Sequence, residues 1–411
     1  MKGGRTFNSR FRFPLKPDNR STCNISRQSG LAKLIRRAKV IPWDEAPMSH
    51  KFLLEGLDRS LQDIMDDNRP FGGKVMILAG DFRQLPTVLE GGTQGQIVAA
   101  SFKKSTLWPL FKTMRLTENM RILKNGNQPK LVEFDQWLEK LGDGDIPTTN
   151  EQDSYIAMPE DLCVKIEENK EKLCRDSAIN FAFGDLNHQA TSSNWTDYVS
   201  SRAILATTNE FVDLLNTECL EKLKGEEITL ASADETVNPD DGTHYPVEYI
   251  NTLKTAGMPP HRLILKNKAV VLLLRNLNIN GGLCNGTRLI IEDVINDRLI
   301  KATIANGAHK GRKVLIPKIM MYPTESKAFG FEWSRLQFPV RLGFAMTIHK
   351  SQGQSLHKVA VWLQESRFGH GQLYVAASRV GNPDDIKFYI KTIEGQPDFA
   401  TRNIVYKELL Q

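Results

Sequence analysis

Two adjacent carboxylates follow a short apolar run near the start of the chain. Val40–Trp43 is apolar, and Asp44 and Glu45 come directly after it. Adjacent acids at the end of a strand can cap the helix that follows. They can equally form a Walker B site, in which Asp44 binds Mg²⁺ and Glu45 polarises the water that attacks a γ-phosphate. Two carboxylates suit that reaction because one neutralises metal charge while the other accepts a proton.

A glycine-led turn follows a second apolar run. The run Lys74–Ala79 precedes the sequence GDFRQLP over Gly80–Pro86, which contains Gln84. Gly-Asp pairs are common in tight turns, and a turn is the ordinary interpretation of this run. A glutamine at the end of a strand can also donate a hydrogen bond to phosphate without adding charge.

Three later runs combine polar and basic residues. The sequence LTENMR ends at Arg121, TIHKSQGQ covers Thr347–Gln354, and YVAASR ends at Arg379. Taken singly, each has an ordinary interpretation. A lone arginine is most often at the surface, and Thr347 and His349 can simply pack at the end of a strand.

The elements that position these residues alternate between apolar runs and helical patterns. Runs of this length predict buried parallel strands. They include, beside the two above, Arg202–Ala206, Leu342–Ile348 and Val359–Leu363. Helical patterns cover Leu31–Ala38, Lys51–Met65 and Glu210–Leu223. The alternation predicts an α/β layered fold whose chemistry lies at the carboxyl ends of the strands, where the polar clusters fall.

The stretch 224–341 has a different character. It is dense in turn signals and holds short β-like runs such as Ala269–Leu274 and Thr287–Ile291. This density predicts a small, mostly β insertion, after which the α/β pattern resumes. Residues 142–196 are polar and irregular, and no elements are assigned to them.

The five runs together resemble the motifs of superfamily-one helicases of the Pif type, in the same order and at similar separations. The one departure from the second motif is Thr87, directly after GDFRQLP, where the family usually has a second proline. The resemblance implies that Gln84 senses the γ-phosphate, that Arg121 and Gln352 reach the nucleotide, and that Arg379 is an arginine finger. It also implies that Thr347, His349 and Lys350 contact the DNA backbone.

Other segments are similar to the Helitron helicase-like subgroup, among them Ser21–Ile25, Pro70–Lys74 and Gly282–Thr287. The implied fold has two RecA-like P-loop NTPase-type domains. Residues 1–118 would be a partial first motor domain, residues 119–223 and 342–411 the second, and residues 224–341 a small β-barrel inserted in the second.

The implied activity is ATP- and Mg²⁺-dependent translocation on single-stranded DNA, with 5′-to-3′ polarity, in the nucleus. DNA repair, recombination and telomere maintenance belong to the same family resemblance. The residues themselves indicate neither the pathway nor the oligomeric state.

One motif that the resemblance requires is absent from the 411 residues. A P-loop needs Gly-x-x-x-x-Gly-Lys-Ser/Thr, but Gly73–Lys74 is followed by Val75 and precedes a strand. In the family the P-loop lies upstream of residues matching Gly3–Thr6. Three explanations are open: a truncated gene or decayed transposon copy, a natural short form, or a P-loop from another chain. The alternative to a helicase is therefore a non-catalytic single-stranded DNA-binding remnant of a transposon helicase.

Composition excludes other classes. The net charge of +6 permits a nucleic-acid partner without requiring one. Five cysteines, none of them spaced as Cys-x-x-Cys, predict free thiols in a reducing compartment and no zinc site. No apolar run is long enough to span a membrane.

Overall fold

Helices and strands alternate through most of the chain. The structure, a computed structural model, describes residues 4–14, 16–89, 91–124, 128–149, 154–323, 329–364, 369–392 and 394–411, apart from the side chains at 121, 124, 239 and 243. Its helices are α1 (Phe7–Phe11), α2 (Gly30–Arg37), α3 (Lys51–Met65), α4 (Gln94–Ala100), α5 (Met120–Lys124), α6 (Pro129–Asp143), α7 (Glu171–Phe183), α8 (Leu186–Ala190), α9 (Trp195–Ser200), α10 (Asn209–Lys222), α11 (Val247–Thr252), α12 (Ile348–Ser351), α13 (Gln372–Ala377) and α14 (Lys407–Leu410).

Its strands are β1 (Val40–Trp43), β2 (Val75–Leu78), β3 (Tyr155–Ala157), β4 (Cys163–Ile166), β5 (Arg202–Ala206), β6 (Ile228–Ala231), β7 (Ala233–Thr236), β8 (Arg262–Leu265), β9 (Val270–Leu273), β10 (Arg288–Ile295), β11 (Leu299–Ile304), β12 (Lys313–Pro317), β13 (Ile319–Met321), β14 (Trp333–Gln337), β15 (Val340–Leu342), β16 (Ala345–Thr347), β17 (Lys358–Leu363), β18 (Ile386–Lys391) and β19 (Ala400–Arg402).

The chain divides into two compact units. The amino-terminal unit comprises residues 1–156, 367–378 and 402–411, and the second unit comprises 157–366 and 379–401. The division into motor domains and an insertion made from the sequence stays a prediction, because compactness alone does not define evolutionary domains.

A five-stranded parallel sheet forms the centre of the second unit. Its order is β16-β5-β17-β18-β4, and every neighbouring pair is parallel. Strands β5 and β17 are buried beyond their first residues, as expected of a parallel sheet covered on both faces. Helices α7 and α10 contribute buried apolar residues to the same core. The predicted α/β fold is confirmed.

The same unit also contains antiparallel sheets, which lie where the sequence predicted a β-rich insertion. Their strand orders are β12-β11-β10-β9-β15, β13-β14-β7 and β6-β8. The expected closure into a barrel is not found among the described strands. The largest of these sheets is open, because β12 and β15 at its two ends do not pair with each other.

Helix α3 shows how the sequence pattern fixes a helix in the amino-terminal unit. Its amino terminus is capped by His50, whose Nδ1 accepts from the backbone N–H of Phe52 at 3.1 Å. The helix ends where Asp66 adopts a left-handed conformation. Its buried face carries apolar residues three or four positions apart, as expected of an amphipathic helix: Leu54, Leu57, Leu61 and Ile64.

Strand β1 tolerates an internal proline because it has one neighbour. Proline has no N–H to donate and is confined to edge strands or bulges. Pro42 lies beside Ile77 of β2, and among the described residues β1 pairs with no other strand. The N–H group that Pro42 lacks is therefore not needed for a hydrogen bond to a second neighbouring strand among the described residues.

A buried ion pair holds the three-stranded antiparallel sheet of the second unit to helix α11. Asp234 of β7 and Arg335 of β14 are 0% and 1% exposed in their side chains. Arg335 donates through Nε to Asp234 Oδ1 at 2.9 Å and through Nη2 to Oδ2 at 2.6 Å. It also donates to the backbone carbonyls of Ile250 and Pro259. Together with the carbonyl of Leu253, five acceptors from three segments converge on one guanidinium.

We expect Asp234→Asn to destabilise the second unit by about 3–5 kcal/mol, because it leaves a buried guanidinium without its counter-charge. Urea unfolding followed by the fluorescence of Trp333, 5.1 Å from the Arg335 guanidinium, measures the change. Asp63→Asn, which breaks the exposed pair with Arg27, is the control and should leave the transition unchanged. An unfolding midpoint for Asp234→Asn equal to that of the parent would contradict the assignment.

Candidate functional site

The carboxyl end of β1 carries both predicted carboxylates. Asp44 is exposed and Glu45 is half-buried. The backbone N–H of Glu45 donates to Asp44 Oδ1 at 3.0 Å, and Glu45 adopts a left-handed conformation with φ of 53°. The two carboxylates therefore belong to one tight turn, and they do not continue the strand.

The turn after β2 lies against this end of β1. The N–H of Ala79 donates to the carbonyl of Trp43 at 2.8 Å, and the N–H of Ala46 donates to the carbonyl of Ala79 at 2.9 Å. A Cβ at Gly80 would lie 2.3 Å from Cδ of Pro47, so only glycine fits there. The structure thus brings the Asp44–Glu45 turn and the GDFRQLP turn together at one edge of the two-stranded sheet.

Gln84 ends a closely bonded turn and keeps one unsatisfied atom. The backbone N–H groups of Arg83 and Gln84 donate to Asp81, at 2.9 Å to its Oδ1 and 3.1 Å to its carbonyl. The Arg83 guanidinium forms a bidentate pair with Asp143, at 2.7 and 2.9 Å. Gln84 Oε1 is buried and accepts from no described residue. Because a buried carbonyl oxygen without a donor is costly, this atom is built to accept from a bound group or water.

The motif TIHKSQGQ lies in the second unit, where β16 passes into α12. Thr347 stands at the helix start but makes no side-chain capping bond. His349 and Lys350 are exposed at the surface. Neighbouring protein atoms still remove part of the water around the His349 ring, and this desolvation lowers its pKa. The ring is therefore neutral at pH 7 and offers an N–H donor in place of a charge. Burial first, then the nearby Arg341, lowers the pKa of Lys350, which stays a cation at that pH.

Arg379 is held by the same motif. Its side chain is buried, and Nη1 donates to the carbonyls of Ser351 at 3.2 Å and Gln354 at 2.9 Å. Gln352 lies between Ser351 and Gln354 in the sequence. Its Oε1 is buried and accepts from no described residue. The structure therefore brings Thr347, Gln352 and Arg379 into one neighbourhood of the second unit, while the carboxylates and Gln84 belong to the amino-terminal unit.

Arg121 is placed only through its backbone, which lies in α5 of the amino-terminal unit. Its side chain lies outside the described residues. The nucleotide contact predicted for Arg121 stays a prediction.

Some residues around these sites had no role in the sequence interpretation. Thr207 follows β5, whose last residue Ala206 is paired with Thr347, and its buried Oγ1 has no partner among the described residues. The polar cluster after the run Arg202–Ala206 was a signal for it. His370 and Tyr374 contact the GDFRQLP turn from a distant part of the sequence, and no sequence pattern indicated those contacts.

Two features are absent from the residues that the structure describes. None of the described helices is long and apolar enough to cross a membrane. No group of three or more His, Cys, Asp and Glu side chains there is arranged to hold a metal ion.

Comparison with known proteins shows that the chain is similar to a group of helicases. The profile of the PIF1-like helicase family matches residues 1–152, and that of the DNA helicase Pif1 2B domain matches residues 248–294. The ATP-dependent DNA helicase Pif1 of Psychrobacter sp. (strain PRwf-1) is 25% identical over 416 residues, covering 90% of this chain and 56% of the relative. Human ATP-dependent DNA helicase PIF1 is 26% identical over 345 residues, covering 82% of this chain and 44% of the relative.

Two solved structures support the same assignment of the fold. The Bacteroides Pif1 helicase in complex with ADP-AlF3 and ssDNA matches with a TM-score of 0.63 at 20% identity, over 98% of this chain and 81% of that one. The Candida albicans Pif1 helicase matches with a TM-score of 0.58 at 24% identity, over 94% and 81%.

These matches define an α/β protein with the RecA-like fold of helicase motors. The chain is similar to the Pif1-like helicases of superfamily one, whose two family models match residues 1–152 and 248–294. It spans about half the length of the first curated relatives, 56% and 50% of each. Membership of the Helitron subgroup stays a prediction.

Proposed function

We propose that this chain is part of an ATP-dependent DNA helicase. In this proposal the chain binds single-stranded DNA and carries side chains that act on the γ-phosphate of ATP. The arrangement at the carboxyl end of β1 and β2 supports this most strongly. Asp44 and Glu45 lie on the turn after β1, and Gln84, whose buried Oε1 accepts from no described residue, lies on the turn after β2. Backbone hydrogen bonds between Trp43, Ala46 and Ala79 hold the two turns together. In the family, translocation runs 5′ to 3′, and we propose the same polarity.

The residues present fit a magnesium ion. Mg²⁺ takes one or two protein carboxylates together with phosphate and water oxygens. Asp44 is exposed, its Oδ1 accepts from the Glu45 N–H, and no described residue bonds its Oδ2. Bound there, the metal would neutralise phosphate charge. Glu45 is then the general base, and Gln84 accepts a hydrogen bond from the attacking water.

The remaining predicted residues have proposed roles of their own. Arg379 is the proposed arginine finger, and Gln352, with its orphaned Oε1, lies toward the nucleotide. Arg121 is proposed to reach the nucleotide as well. Thr347, His349 and Lys350 are proposed to contact the DNA backbone.

The phosphate cradle is the part that these residues do not provide. No Gly-x-x-x-x-Gly-Lys-Ser/Thr occurs in the 411 residues. Strand β2 leaves Val75 57% and Ile77 50% exposed, although parallel strands are normally covered on both faces. The exposed apolar side chains support a sheet whose faces are covered by further strands or helices, from this protein or another.

The proposed DNA contact has a direct test. We expect Thr347→Ala with His349→Ala to weaken binding of unrelated single-stranded oligonucleotides roughly tenfold, the effect of losing one or two neutral hydrogen bonds. The salt dependence should not change, because neither side chain carries charge at pH 7. Lys350→Gln should make the slope of log affinity against log salt shallower by about 0.7, the value for one phosphate neutralised on a single strand.

Fluorescence anisotropy over a salt series measures both effects. Lys33→Gln, on the exposed face of α2 in the other unit, is the matched cation control and should leave the slope unaltered. If the double variant keeps parental affinity while its fold is intact, the backbone-contact role of this motif should be abandoned.

A second candidate function is a non-catalytic single-stranded DNA-binding remnant of a transposon helicase. The absent Gly-Lys-Ser/Thr sequence favours it. Both candidates bind DNA, and only the first becomes an ATP-driven motor when a phosphate cradle is present. We also propose a nuclear location and a role in DNA repair, recombination or telomere maintenance, supported by eukaryotic relatives such as yeast RRM3.

A further inference from the structure

Residues 370–374, which are distant in sequence, contact the GDFRQLP turn within the amino-terminal unit. Tyr374 donates its hydroxyl to Asp81 Oδ2 at 2.8 Å. His370 Nε2 lies 2.9 Å from the carbonyl oxygen of Phe82. A Cβ at Gly371 would lie 2.3 Å from the carbonyl oxygen of Arg83. Three successive residues of the turn are thus contacted by one short segment.

The hydrogen bonds of His370 fix its protonation state. Its Nδ1 accepts from the backbone N–H of Tyr406 at 2.8 Å, so the proton of the neutral ring must be on Nε2. That proton is donated to the carbonyl of Phe82. The ring is 2% exposed, and burial lowers its pKa, which keeps the neutral form at pH 7. His370 therefore has two faces with different partners: a donor toward the turn and an acceptor toward Tyr406.

Gly371 allows the backbones to meet. It has a φ of +71°, and an added Cβ would approach both Arg83 and Gln84, the latter at 2.9 Å from its carbonyl oxygen. Those atoms belong to the backbone and cannot swing away. Any side chain at 371 would therefore push the turn out of place.

The end of helix α6 contacts the turn as well, next to Tyr374. Asp143, at the end of α6, pairs with the Arg83 guanidinium, and the neighbouring Gly142 leaves room for the Arg83 side chain, since a Cβ there would lie 2.7 Å from Arg83 Cδ. The turn is bonded through Asp81, Phe82 and Arg83. The next residue, Gln84, leaves its Oε1 unsatisfied. A rigid backbone that carries one unsatisfied acceptor is the arrangement that a precisely placed reacting or sensing group requires.

We propose that His370, Gly371 and Tyr374 are positioning residues that hold the turn Asp81–Gln84 and thereby set the place of the Gln84 amide. The inference rests on the proposed function for the role of Gln84. The same segment continues through α13 to Arg379, so one short stretch of chain carries both the contacts to the Gln84 turn and the candidate arginine finger.

Two substitutions of His370 separate positioning from packing. Glutamine places its amide near the position of Nε2 and can still donate to Phe82, whereas asparagine reaches only the position of Nδ1 and can still accept from Tyr406. We expect His370→Asn to speed hydrogen exchange of the Arg83 and Gln84 amides about tenfold, the effect of losing one net hydrogen bond. His370→Gln should stay close to the parent there.

The measurement is hydrogen–deuterium exchange of the full chain, without nucleotide or DNA, followed by mass spectrometry of the peptide over 81–86. Equal exchange in the two variants would overturn the inference, because a residue that only fills space cannot distinguish which polar face is kept. If either His370 variant does not fold, Tyr374→Phe, which deletes one hydroxyl, decides the question. Faster exchange of 81–86 supports the inference and unchanged exchange overturns it.

Tyr198→Phe is the matched control, since it deletes a hydroxyl that donates to the carbonyl of Phe183 in the second unit and should not alter 81–86. The exchange assay is independent of DNA binding. A chain that fails to bind single-stranded DNA but shows the asparagine–glutamine contrast would therefore sink the proposed function and leave the positioning contacts standing.

Discussion

With MgATP and saturating single-stranded DNA, the 411-residue chain is expected to hydrolyse ATP negligibly. Catalysis of phosphoryl transfer depends on positioning and on stabilising charge at the γ-phosphate. In their proposed roles, Asp44, Glu45, Gln84 and Arg379 act only on a phosphate that is already held. The chain has no Gly-Lys-Ser/Thr cradle to hold it, so these groups lack their substrate. Nucleotide affinity should be weak for the same reason.

A coupled phosphate-release assay measures this turnover. Glu45→Gln is the internal control: if the residual rate comes from a contaminant or from uncatalysed hydrolysis, the variant and the parent give the same rate. A DNA-stimulated kcat on the order of 1 s⁻¹ or more, the low end for phosphoryl-transfer enzymes, would contradict the account. It would mean that another part of the chain cradles the phosphates.

Strand ends were the most predictable part of the molecule. Apolar runs that stop at polar clusters became β1, β2, β5 and β17, and the helical patterns became α2, α3 and α10. These elements have a strong local signal, since a parallel strand is continuously apolar and an amphipathic helix repeats every three to four residues.

One apolar run was divided by tertiary packing. Leu342–Ile348 was predicted as a single strand, but β15 ends at Leu342 in an antiparallel sheet and β16 begins at Ala345 in the parallel one. Gly343 makes the change of sheet possible, because a Cβ there would lie 2.9 Å from the Leu272 side chain. The local sequence cannot show that the two halves of one apolar run belong to two different sheets.

The region 142–196 shows the opposite failure. It contains β3, β4, α7, α8 and the start of α9, none of which was predicted. Strand β4 has only four residues and stands at the edge of the parallel sheet, paired with β18 alone among the described strands. An edge strand is only half covered, so its apolar signal is weak.

The candidate site divides in the same way. Motif spacing indicated the carboxylates and Gln84, and their shared edge follows from parallel strands. The contact of His370 with Phe82 joins residues 288 positions apart, and nothing in the local sequence of either residue specifies it. Long-range polar contacts of this kind require the folded chain.

The most direct test of the account joins a Walker A segment from a Pif1-type relative to the amino terminus of this chain. The fusion should hydrolyse ATP in the presence of single-stranded DNA. Glu45→Gln in the fusion should lower kcat by about 10²–10⁴-fold, because the substitution keeps the shape of the side chain and removes the general base. Nucleotide binding should be largely unchanged, so the loss appears in kcat.

Steady-state hydrolysis by the fusion and its Glu45→Gln variant, with nucleotide binding measured in parallel, is the deciding measurement. Asp63→Asn is the matched carboxylate control, since Asp63 forms an exposed pair with Arg27 in the same unit and has no proposed role at the site, and it should retain most of the turnover. DNA-stimulated turnover that collapses in Glu45→Gln but not in Asp63→Asn is the predicted result. Turnover in Glu45→Gln equal to that of the parent fusion would contradict the assignment of the catalytic carboxylate.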